Sequence, residues 1–500
     1  MEVLAACQGD ALPELLCPRA WPPAPRKPWK RDRLHVLRCA DGYVGLSLSA
    51  PDDRRYFGLL TGLETEQIAG SGAVGMLEPW ARGRTRDEIF HEAQLWRLPV
   101  VPVLTPEEVR ADAQSRARGI WNEDDKGALV LDSPFRVTTS DHGPGYAVGA
   151  LQEPSRTPSS SSLPLDGVRV ADLGMVWAGP YAGRLLAGLG ALVIKIEGSR
   201  RPDGTRRSAT GGCDGAFADL NQGKKSLVLD LLQAEGREVF LELSRVVDVV
   251  LENYSPRVMP NFGLDYPVLS ETNPGLVMLS LPAFGSTGPW ANYVAYGSGL
   301  ELATGLATSD DGHPGVASVP YLDYLAGTCG AAAVLAALHE RERTGHGCQV
   351  EVAQREVACQ LMTGAYGKRI RSGEADSERP APGARGQSPW TSDSCAERLV
   401  ESPFLRASGL LAGSDASAGA CHHFARLPWL IHGVDVRPET DAPAFGAHSR
   451  EVLRDVAGID DAQFEHLVDL GIVVEASSPT RAGAVERRAE DRIGKDPGAQ

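Results

Sequence analysis

The 500-residue sequence lacks the features of several protein classes. It has no run of about 18 apolar residues, the length that a membrane-spanning helix needs. Its N-terminal segment lacks the basic start and apolar stretch of a secretory signal. Positive charge is also scarce, because 65 acidic against 50 basic side chains give a formal net charge of −15. This balance disfavours broad binding to nucleic acid or an anionic membrane, so we expect a cytoplasmic protein with neither as a partner.

Paired cysteines and common catalytic motifs are absent as well. The nine cysteines are an odd number and form no C-x-x-C pair, which predicts reduced thiols. Cys421-His422-His423 is the one local set of soft ligands, but adjacent side chains point in different directions and rarely chelate one ion. G-x-S-x-G and H-E-x-x-H are also missing. We therefore expect no metal site and no serine-hydrolase or zinc-hydrolase site.

The sequence matches a dinucleotide-binding motif but lacks the structural context that the motif needs. Residues 70–75 (GSGAVG) match G-x-G-x-x-G, which functions when a buried strand precedes the loop and a helix follows it. The preceding segment, residues 63–69, has helix-like spacing. The sequence therefore predicts no nucleotide site at this place.

Clusters of Pro, Ser and Gly divide the chain. Residues 154–164 form a Ser/Pro linker, and residues 371–394 combine Gly, Pro, Ser and charge without apolar periodicity. The segments between and beyond these linkers are residues 1–153, 165–370, 395–476 and 477–500. The last of them has the polar composition of a disordered tail.

The middle segment alternates strand-like and helix-like patterns. Residues 168–173 and 191–196 read as buried strands, and residues 181–189 between them as a helix. The same alternation continues to residue 281, with a helix predicted over residues 234–245. It predicts an α/β fold with a mostly parallel, doubly wound sheet and helices on both faces.

Ligands of such sheets bind beyond the carboxyl ends of the strands. The residues that follow predicted strands are Glu197, Asn253 and residues 282–285. Six cations also lie close together in this acidic chain: Arg200, Arg201, Arg206, Arg207, Lys224 and Lys225. Cationic side chains and free backbone amides are what a phosphate group requires, so we expect a phosphate-bearing ligand, with an exposed basic turn as the alternative for the lysine pair alone.

Asp323 begins a helix-like region whose small and apolar residues extend over 328–339. A carboxylate in a first helical turn often only complements the helix dipole. The same dipole keeps a carboxylate ionised, as a carboxylate nucleophile requires. The residues by themselves leave both interpretations open.

The middle segment resembles the family III CoA-transferases, which include formyl-CoA transferase, carnitine CoA-transferase and α-methylacyl-CoA racemase. The segments that carry the resemblance, in family order, are residues 164–173 (PLDGVRVADL), 178–180 (AGP), 189–197 (LGALVIKIE), 220–226 (LNQGKKS), 252–256 (ENYSP), 284–289 (FGSTGP) and 341–351 (RERTGHGCQVE). Several consistent signals over about 200 residues outweigh any single motif.

The resemblance implies a Rossmann-like domain with a second, smaller α+β domain, assembled as an intertwined homodimer. It implies that Asp323 attacks an acyl-CoA thioester, that coenzyme A is a co-substrate with no permanently bound cofactor, and that the partners are an acyl-CoA and a carboxylic acid. The residues that it places near CoA are Trp177, Ala178, Glu197, Leu220, Asn221, Lys224, Lys225, Asn253 and Tyr254.

Two positions depart from the family pattern. Residues 295–297 (AYG) stand where the racemases have G-H-D, so one acid/base partner of α-proton exchange is missing and transfer is favoured over racemisation. Gly297 also replaces the aspartate of the G-Y-D found in transferases, and Trp177 replaces a CoA-contacting glutamine. Gly297 and the linker at 371–394 favour the alternative, an inactive half of a tandem protein that binds CoA or acts as a scaffold.

The flanking segments resemble other parts of the same family in an altered order. Residues 24–120 resemble the small domain, which normally follows the large-domain core, and residues 400–473 resemble the C-terminal return segment. Two pairs of short segments also repeat in the same order: residues 1–8 with 355–360, and 131–136 with 400–404. We expect the latter part of a tandem fusion, a permuted single copy or a truncated gene product.

Overall fold

The computed structural model describes part of the chain. The described residues are 34–48, 51–69, 73–123, 129–139, 163–206, 216–307, 314, 320–361, 411–413, 423–425 and 440–476. Most of the predicted linker at 154–164, the linker at 371–394, the tail at 477–500, and Cys421 and His422 lie outside them. The domain boundaries drawn from the sequence stay a prediction.

The helices and strands of the described residues are numbered in chain order. The helices are α1 (Pro51–Thr61), α2 (Thr65–Ala69), α3 (Ala73–Arg82), α4 (Arg86–Leu95), α5 (Pro106–Ala111), α6 (Ala113–Arg118), α7 (Ala178–Gly188), α8 (Ala216–Asn221), α9 (Ala234–Ser244), α10 (Val258–Phe262), α11 (Tyr266–Thr272), α12 (Gly297–Leu302), α13 (Tyr321–Thr344), α14 (Gln354–Leu361), α15 (Ser449–Asp455) and α16 (Asp461–Asp469). The strands are β1 (Leu34–Arg38), β2 (Tyr43–Ser47), β3 (Val100–Pro102), β4 (Trp121–Glu123), β5 (Leu129–Leu131), β6 (Phe135–Thr138), β7 (Arg169–Asp172), β8 (Leu192–Glu197), β9 (Lys225–Leu229), β10 (Val249–Glu252), β11 (Val277–Ser280), β12 (Cys348–Val352), β13 (Leu411–Gly413), β14 (His423–Ala425) and β15 (Val473–Val474).

An eight-stranded sheet is the centre of the large domain. Its strand order is β15-β9-β8-β7-β10-β11-β12-β6. The six inner strands run parallel, and each edge strand is antiparallel to its neighbour. The chain moves from β7 through β8 to β9 on one side and then returns to β10 on the other side of β7. The predicted α/β fold with a mostly parallel, doubly wound sheet is confirmed, and the strand order reverses between β7 and β10.

Both faces of this sheet are covered, which explains why its strands are apolar runs. On one face Val249 packs with Leu185 of α7 and Val334 of α13 in one hydrophobic cluster. On the other face the next residue, Val250, packs in a second cluster with Phe240 of α9. Successive strand residues point to opposite faces, so each strand supplies both cores.

The small unit before the large domain has its own core. Strands β1, β2 and β3 form an antiparallel sheet. Leu37, Val44, Phe57, Leu77 and Ile89 belong to a cluster separate from those of the large sheet. This arrangement matches the expected second, smaller α+β domain. Helix α2 precedes residues 70–75, so the strand that a dinucleotide loop needs is not there.

Segments from both ends of the described chain complete the large sheet. Strand β6 adds to β12 at one edge and β15 adds to β9 at the other. Buried ion pairs attach the N-terminal segment, since Arg118 of α6 pairs with Glu351 at 2.6 Å and with Glu356, and Arg355 pairs with Asp112. The residues before the predicted 154–164 linker therefore contribute both the small core and one edge of the large sheet.

Helix α13 is the central helix of the large domain. By length and composition alone it is long and apolar enough to cross a membrane, but most of its apolar stretch is buried within the protein. Its most extensive helix contact is with α7, and it also packs on β11 and β12. Its apolar character is therefore explained by its place in the core.

Candidate active site

One amide side chain links the loops at the switch point, the place between β7 and β10 where the strand order reverses. Asn253, the residue after β10, accepts a hydrogen bond from the Met175 N–H at 2.7 Å through Oδ1 and donates one to the Met175 carbonyl at 2.9 Å through Nδ2. These two bonds join the loop after β7 to the loop after β10. Asn253 thus orders the backbone at the place where doubly wound sheets bind ligands.

The loop after β7 also contains a strained residue. Val176 has a φ of +66°, a conformation that β-branched side chains rarely adopt. Its N–H faces both carboxylate oxygens of Asp203, at 3.2 and 3.3 Å. Lys195 pairs with Asp203 at 2.8 Å and also donates to the Gly174 carbonyl. Burial opposes the ionised form of Asp203, but the Lys195 ammonium outweighs it and holds the pKa of Asp203 below its usual range.

Asp323 lies in the first turn of α13 and is 7% exposed. The carboxyl group occupies the space beside Gly297, the first residue of α12: a Cβ atom built on Gly297 would lie 2.6 Å from Cγ and 3.0 Å from Oδ1 of Asp323. Pro320 at the N-cap of α13 makes no side-chain capping bond. The first-turn N–H groups of this helix, which favour negative charge, therefore have no capping side chain.

The first turns of α7 and α13 meet at the switch point. A Cβ atom on Gly327 would lie 2.6 Å from the Ala178 carbonyl oxygen, so only glycine permits this approach. The rings of Trp177 and Tyr324 are 5.7 Å apart in an edge-to-face arrangement. Because Tyr324 follows Asp323 directly, these contacts bring the Asp323 turn against the N-terminus of α7, beside the loop after β7.

A second carboxyl group lies close to Asp323. Glu301 of α12 is 0% exposed, and among the described residues neither of its carboxyl oxygens has a hydrogen-bond partner. Burial and, secondarily, the charge of Asp323 raise the pKa of Glu301 to about 9. The Leu322 N–H lowers the pKa of Glu301 in part, although it makes no hydrogen bond of normal geometry with either oxygen. Sequence reasoning missed Glu301, whose one signal was an acidic residue inside an apolar segment.

The predicted CoA contact Lys224 is engaged inside the protein. Its Nζ donates to Asp172 Oδ2 at 2.7 Å, to the Pro180 carbonyl at 2.7 Å and to Asn221 Oδ1 at 2.9 Å, which uses all three of its protons. Burial lowers the pKa of Lys224 to about 8, and the adjacent Asp172 opposes that shift. The contact of Lys224 and Asn221 with CoA stays a prediction that requires this network to open.

The other predicted cations are also largely neutralised. Arg206 pairs with Glu197 at 2.8 Å in the interior, and Lys225 pairs with Glu451 at 3.2 Å. Arg200 lies 3.6 Å from a carboxylate oxygen of Asp230. Arg201 is exposed, and Arg207 lies outside the described residues. The free basic cluster expected from the sequence is therefore reduced, because residues that are clustered in sequence found carboxylate partners in the fold.

The predicted site residues thus fall into distinct groups. Trp177, Ala178, Asn253 and Asp323 come together at the switch point. Leu220 is buried in the core, Lys225 begins β9 instead of ending a strand, and Tyr254 packs partly buried against the second cluster. The end of β11 is covered by the protein itself, since Gln114 of α6 donates to the Phe284 carbonyl at 2.8 Å. These features define an α/β protein with a carboxylate at the switch point of its sheet.

Comparison with known proteins identifies the family. The profile of CoA-transferase family III matches residues 165–395. A probable CoA-transferase of Mycobacterium tuberculosis is 30% identical over 378 residues, which cover 66% of this chain and 47% of that protein. The β subunit of succinyl-CoA–L-malate CoA-transferase from Chloroflexus aurantiacus is 33% identical over 297 residues, covering 56% of this chain and 72% of that subunit. The chain belongs to CoA-transferase family III.

A solved structure shares the fold of this chain. A CAIB/BAIF family protein from Brucella suis matches with a TM-score of 0.51 and 22% identity, covering 59% of this chain and 100% of the other. At that identity the match shows the fold alone. The chain spans about half the length of most of the curated relatives that it matches.

Proposed function

We propose that the protein is an acyl-CoA:carboxylate CoA-transferase in which Asp323 is the nucleophile. The observation that carries this proposal is the Asp323 carboxyl group, seated beside Gly297 in the first turn of α13 where that helix meets the loop after β7. The relatives named for transfer between succinyl-CoA and L-malate support the reaction class. Coenzyme A is then the co-substrate, and the partners are an acyl-CoA and a carboxylic acid.

The first half of the reaction releases the donor acid. A carboxylate oxygen of Asp323 attacks the thioester carbonyl carbon, the C–S bond breaks, and CoA leaves as a thiolate from the resulting mixed anhydride. The thiolate then attacks the aspartyl carbonyl carbon and expels the donor acid as its carboxylate. An aspartyl-CoA thioester on Asp323 remains.

The second half repeats these steps with the acceptor. The acceptor carboxylate attacks the aspartyl thioester and forms a second anhydride, with CoA again the leaving thiolate. Attack of the thiolate on the acyl carbon of the acceptor yields the new acyl-CoA and restores the Asp323 carboxylate. Every bond broken is matched by one formed among the enzyme, CoA and the two acids, and no proton is consumed.

Backbone groups at the switch point supply the electrostatic part of this mechanism. Each attack places negative charge on a carbonyl oxygen, and preorganised N–H groups stabilise such an oxyanion. The N-cap residue of α13, Pro320, makes no side-chain capping bond to the first-turn N–H groups of this helix, and Asp323 belongs to the same first turn. The loop fixed by Asn253 lines the same place.

The alternative, an inactive half of a tandem protein, was favoured by Gly297 as a missing acid and by the linker at 371–394, which lies outside the described residues. Because Gly297 leaves the room that the Asp323 carboxyl group occupies, the glycine fits a site built around that nucleophile. A cytoplasmic location and an intertwined homodimer remain parts of this proposal. Sedimentation of the purified protein tests the dimer.

Isotope transfer tests the nucleophile directly. The protein is incubated with an acyl-CoA panel and with acceptor acids that carry heavy oxygen in the carboxylate. Return of CoA to the acceptor leaves one acceptor oxygen on Asp323, so in a single turnover the peptide that contains it should gain one heavy oxygen. The Asp323→Asn variant should bind CoA and show neither exchange nor label. Undiminished CoA exchange in that variant would refute the proposal.

A further inference from the structure

Glu301 has the surroundings of a carboxyl group that stays protonated. It is fully buried in α12, and no described residue provides a hydrogen-bond partner for either of its oxygens. A buried carboxylate without partners is among the most costly groups in a protein interior, and the neutral acid avoids most of that cost. An unsatisfied buried polar group of this kind calls for a functional explanation.

The geometry of α12 directs Glu301 toward the nucleophile. Residues four apart share one face of a helix, with Cβ atoms roughly 5–6 Å apart, and side chains lean toward the helix N-terminus. Gly297 lies four residues before Glu301, and the carboxyl group of Asp323 fills the space where a side chain of residue 297 would begin. The Glu301 side chain thus leans toward Asp323.

The two carboxyl groups differ in their environment. Asp323 lies in the first turn of a 24-residue helix, where backbone N–H groups and the dipole favour an anion. Glu301 is more deeply buried and interacts unfavourably with the Asp323 charge. Two such neighbours do not ionise together, so the proton stays on Glu301.

The groups on the other elements packed against α12 do not change the protonation of Glu301. Strands β2 and β3 face it through Gly45 and Val101. Helix α14 presents Arg355, whose guanidinium faces the Ala303 carbonyl at 3.5 Å and is paired with Asp112. Tyr321 of α13 is a further titratable group that interacts with Glu301; burial raises the pKa of Tyr321, so it stays neutral as well.

We propose that Glu301 is a positioning residue for the Asp323 nucleophile: it remains a neutral carboxylic acid and offers its O–H group to the Asp323 carboxyl group. This inference rests on the proposed function. The hydrogen bond orients the nucleophile in its site, and the missing charge avoids repulsion between the two groups. Deprotonation of Glu301 would remove the donor and add the repulsion, so labelling of Asp323 should fall as the pH rises through about 9.

Three variants test the proposal in the full chain. Glu301→Gln keeps a donor in the same shape but does not titrate, and Glu301→Leu has no donor. Glu252→Gln is the matched control, because Glu252 is also buried, burial raises its pKa to about 7, and it lies in β10, where it accepts a hydrogen bond from the Tyr254 N–H at 2.7 Å. The measurements are the pH dependence of Asp323 labelling and the infrared band of a protonated carboxyl group.

We expect wild type to show an acid band that titrates with a pKa of about 9, and Glu301→Gln to lack this band while it keeps the band of Glu252, whose pKa is about 7. Wild type should also lose labelling at alkaline pH, and Glu301→Gln should not. Glu301→Leu should label about 100-fold more slowly than wild type, the size of one lost hydrogen bond to a charged group, and Glu301→Gln should recover most of that rate. Glu252→Gln should keep the loss of Asp323 labelling near pH 9. CoA binding, measured by equilibrium dialysis, checks that each variant is folded.

Failure of this inference and failure of the proposed function give different results. If Glu301→Leu labels Asp323 at the wild-type rate with the wild-type pH profile, the positioning inference is wrong and the nucleophile stands. If wild type is not labelled either, the proposed function fails. The infrared titration still shows whether Glu301 is protonated. An acid band whose pKa falls in Asp323→Asn then supports the coupling of the two groups, and a Glu301 that is ionised at neutral pH overturns it.

Discussion

A Cβ atom on residue 297 would lie 2.6 Å from Cγ of Asp323, so the absence of a side chain at Gly297 is what makes room for the carboxyl group. This relationship changes the meaning of a residue that departs from the family pattern. In sequence Gly297 reads as the loss of an acid. In the structure Gly297 provides the space that the carboxyl group of Asp323, the proposed nucleophile, occupies.

Replacement of Gly297 by alanine should therefore displace the Asp323 carboxyl group. The overlap with a short side chain has no relief without a new rotamer of Asp323, and a displaced nucleophile commonly costs about 100-fold in rate. We expect labelling of Asp323 to fall by that order while CoA binding is retained. Gly75→Ala is the control, since a Cβ there meets nothing within 4 Å and should slightly stabilise helix α3.

The neighbouring lysines should differ sharply in their effect on stability. Lys224→Met leaves the Asp172 carboxylate buried without its cation, which costs about 3–5 kcal/mol of unfolding free energy. Lys225→Met removes only the partly exposed pair with Glu451 and should cost about 1 kcal/mol or less. Urea denaturation of both variants measures the difference, and equal losses would contradict the buried network.

The stability of the protein should depend on pH through Glu301. Its pKa is about 9 in the folded protein against an ordinary 4.5, so the folded state binds the extra proton between these values. The stability that this proton contributes is fully present below pH 4.5 and is lost as the pH rises through about 9. The free energy of unfolding of wild type, relative to Glu301→Gln, should decrease over that window. A constant difference between the two proteins from pH 5 to 9 would show an ionised Glu301.

Removal of the Asn253 side chain should loosen the switch point. Asn253→Ala loses both hydrogen bonds to Met175, and Asn253→Asp keeps the acceptor but places an oxygen against the Met175 carbonyl. We expect faster hydrogen exchange in the peptide that contains Met175, together with weaker CoA binding, in both variants. The control is Asn273→Ala, which loses two bonds to the carbonyls of Ser244 and Val247 away from the site. That variant should lose stability without a change in Met175 exchange.

Local periodicity predicted much of the fold. The strand expected over residues 191–196 is β8 (Leu192–Glu197), and the helix expected over 234–245 is α9 (Ala234–Ser244). These patterns are reliable because strands covered on both faces must be continuously apolar. The helix predicted to begin at Asp323, with small and apolar residues over 328–339, is α13 (Tyr321–Thr344). It extends beyond residue 339 because the last residues, 340–344, are polar and carry no apolar period.

Local sequence patterns predicted the alternation of strands and helices in the middle segment, the family resemblance and the position of Asp323 at a helix start. Which charges meet could be seen only in the folded chain. Lys224 pairs with Asp172, 52 residues earlier, and Glu301 lies buried beside Asp323. The physical reason is that the charge state and the partners of a side chain depend on its burial and on distances across the packed core, neither of which is a property of its neighbours along the chain.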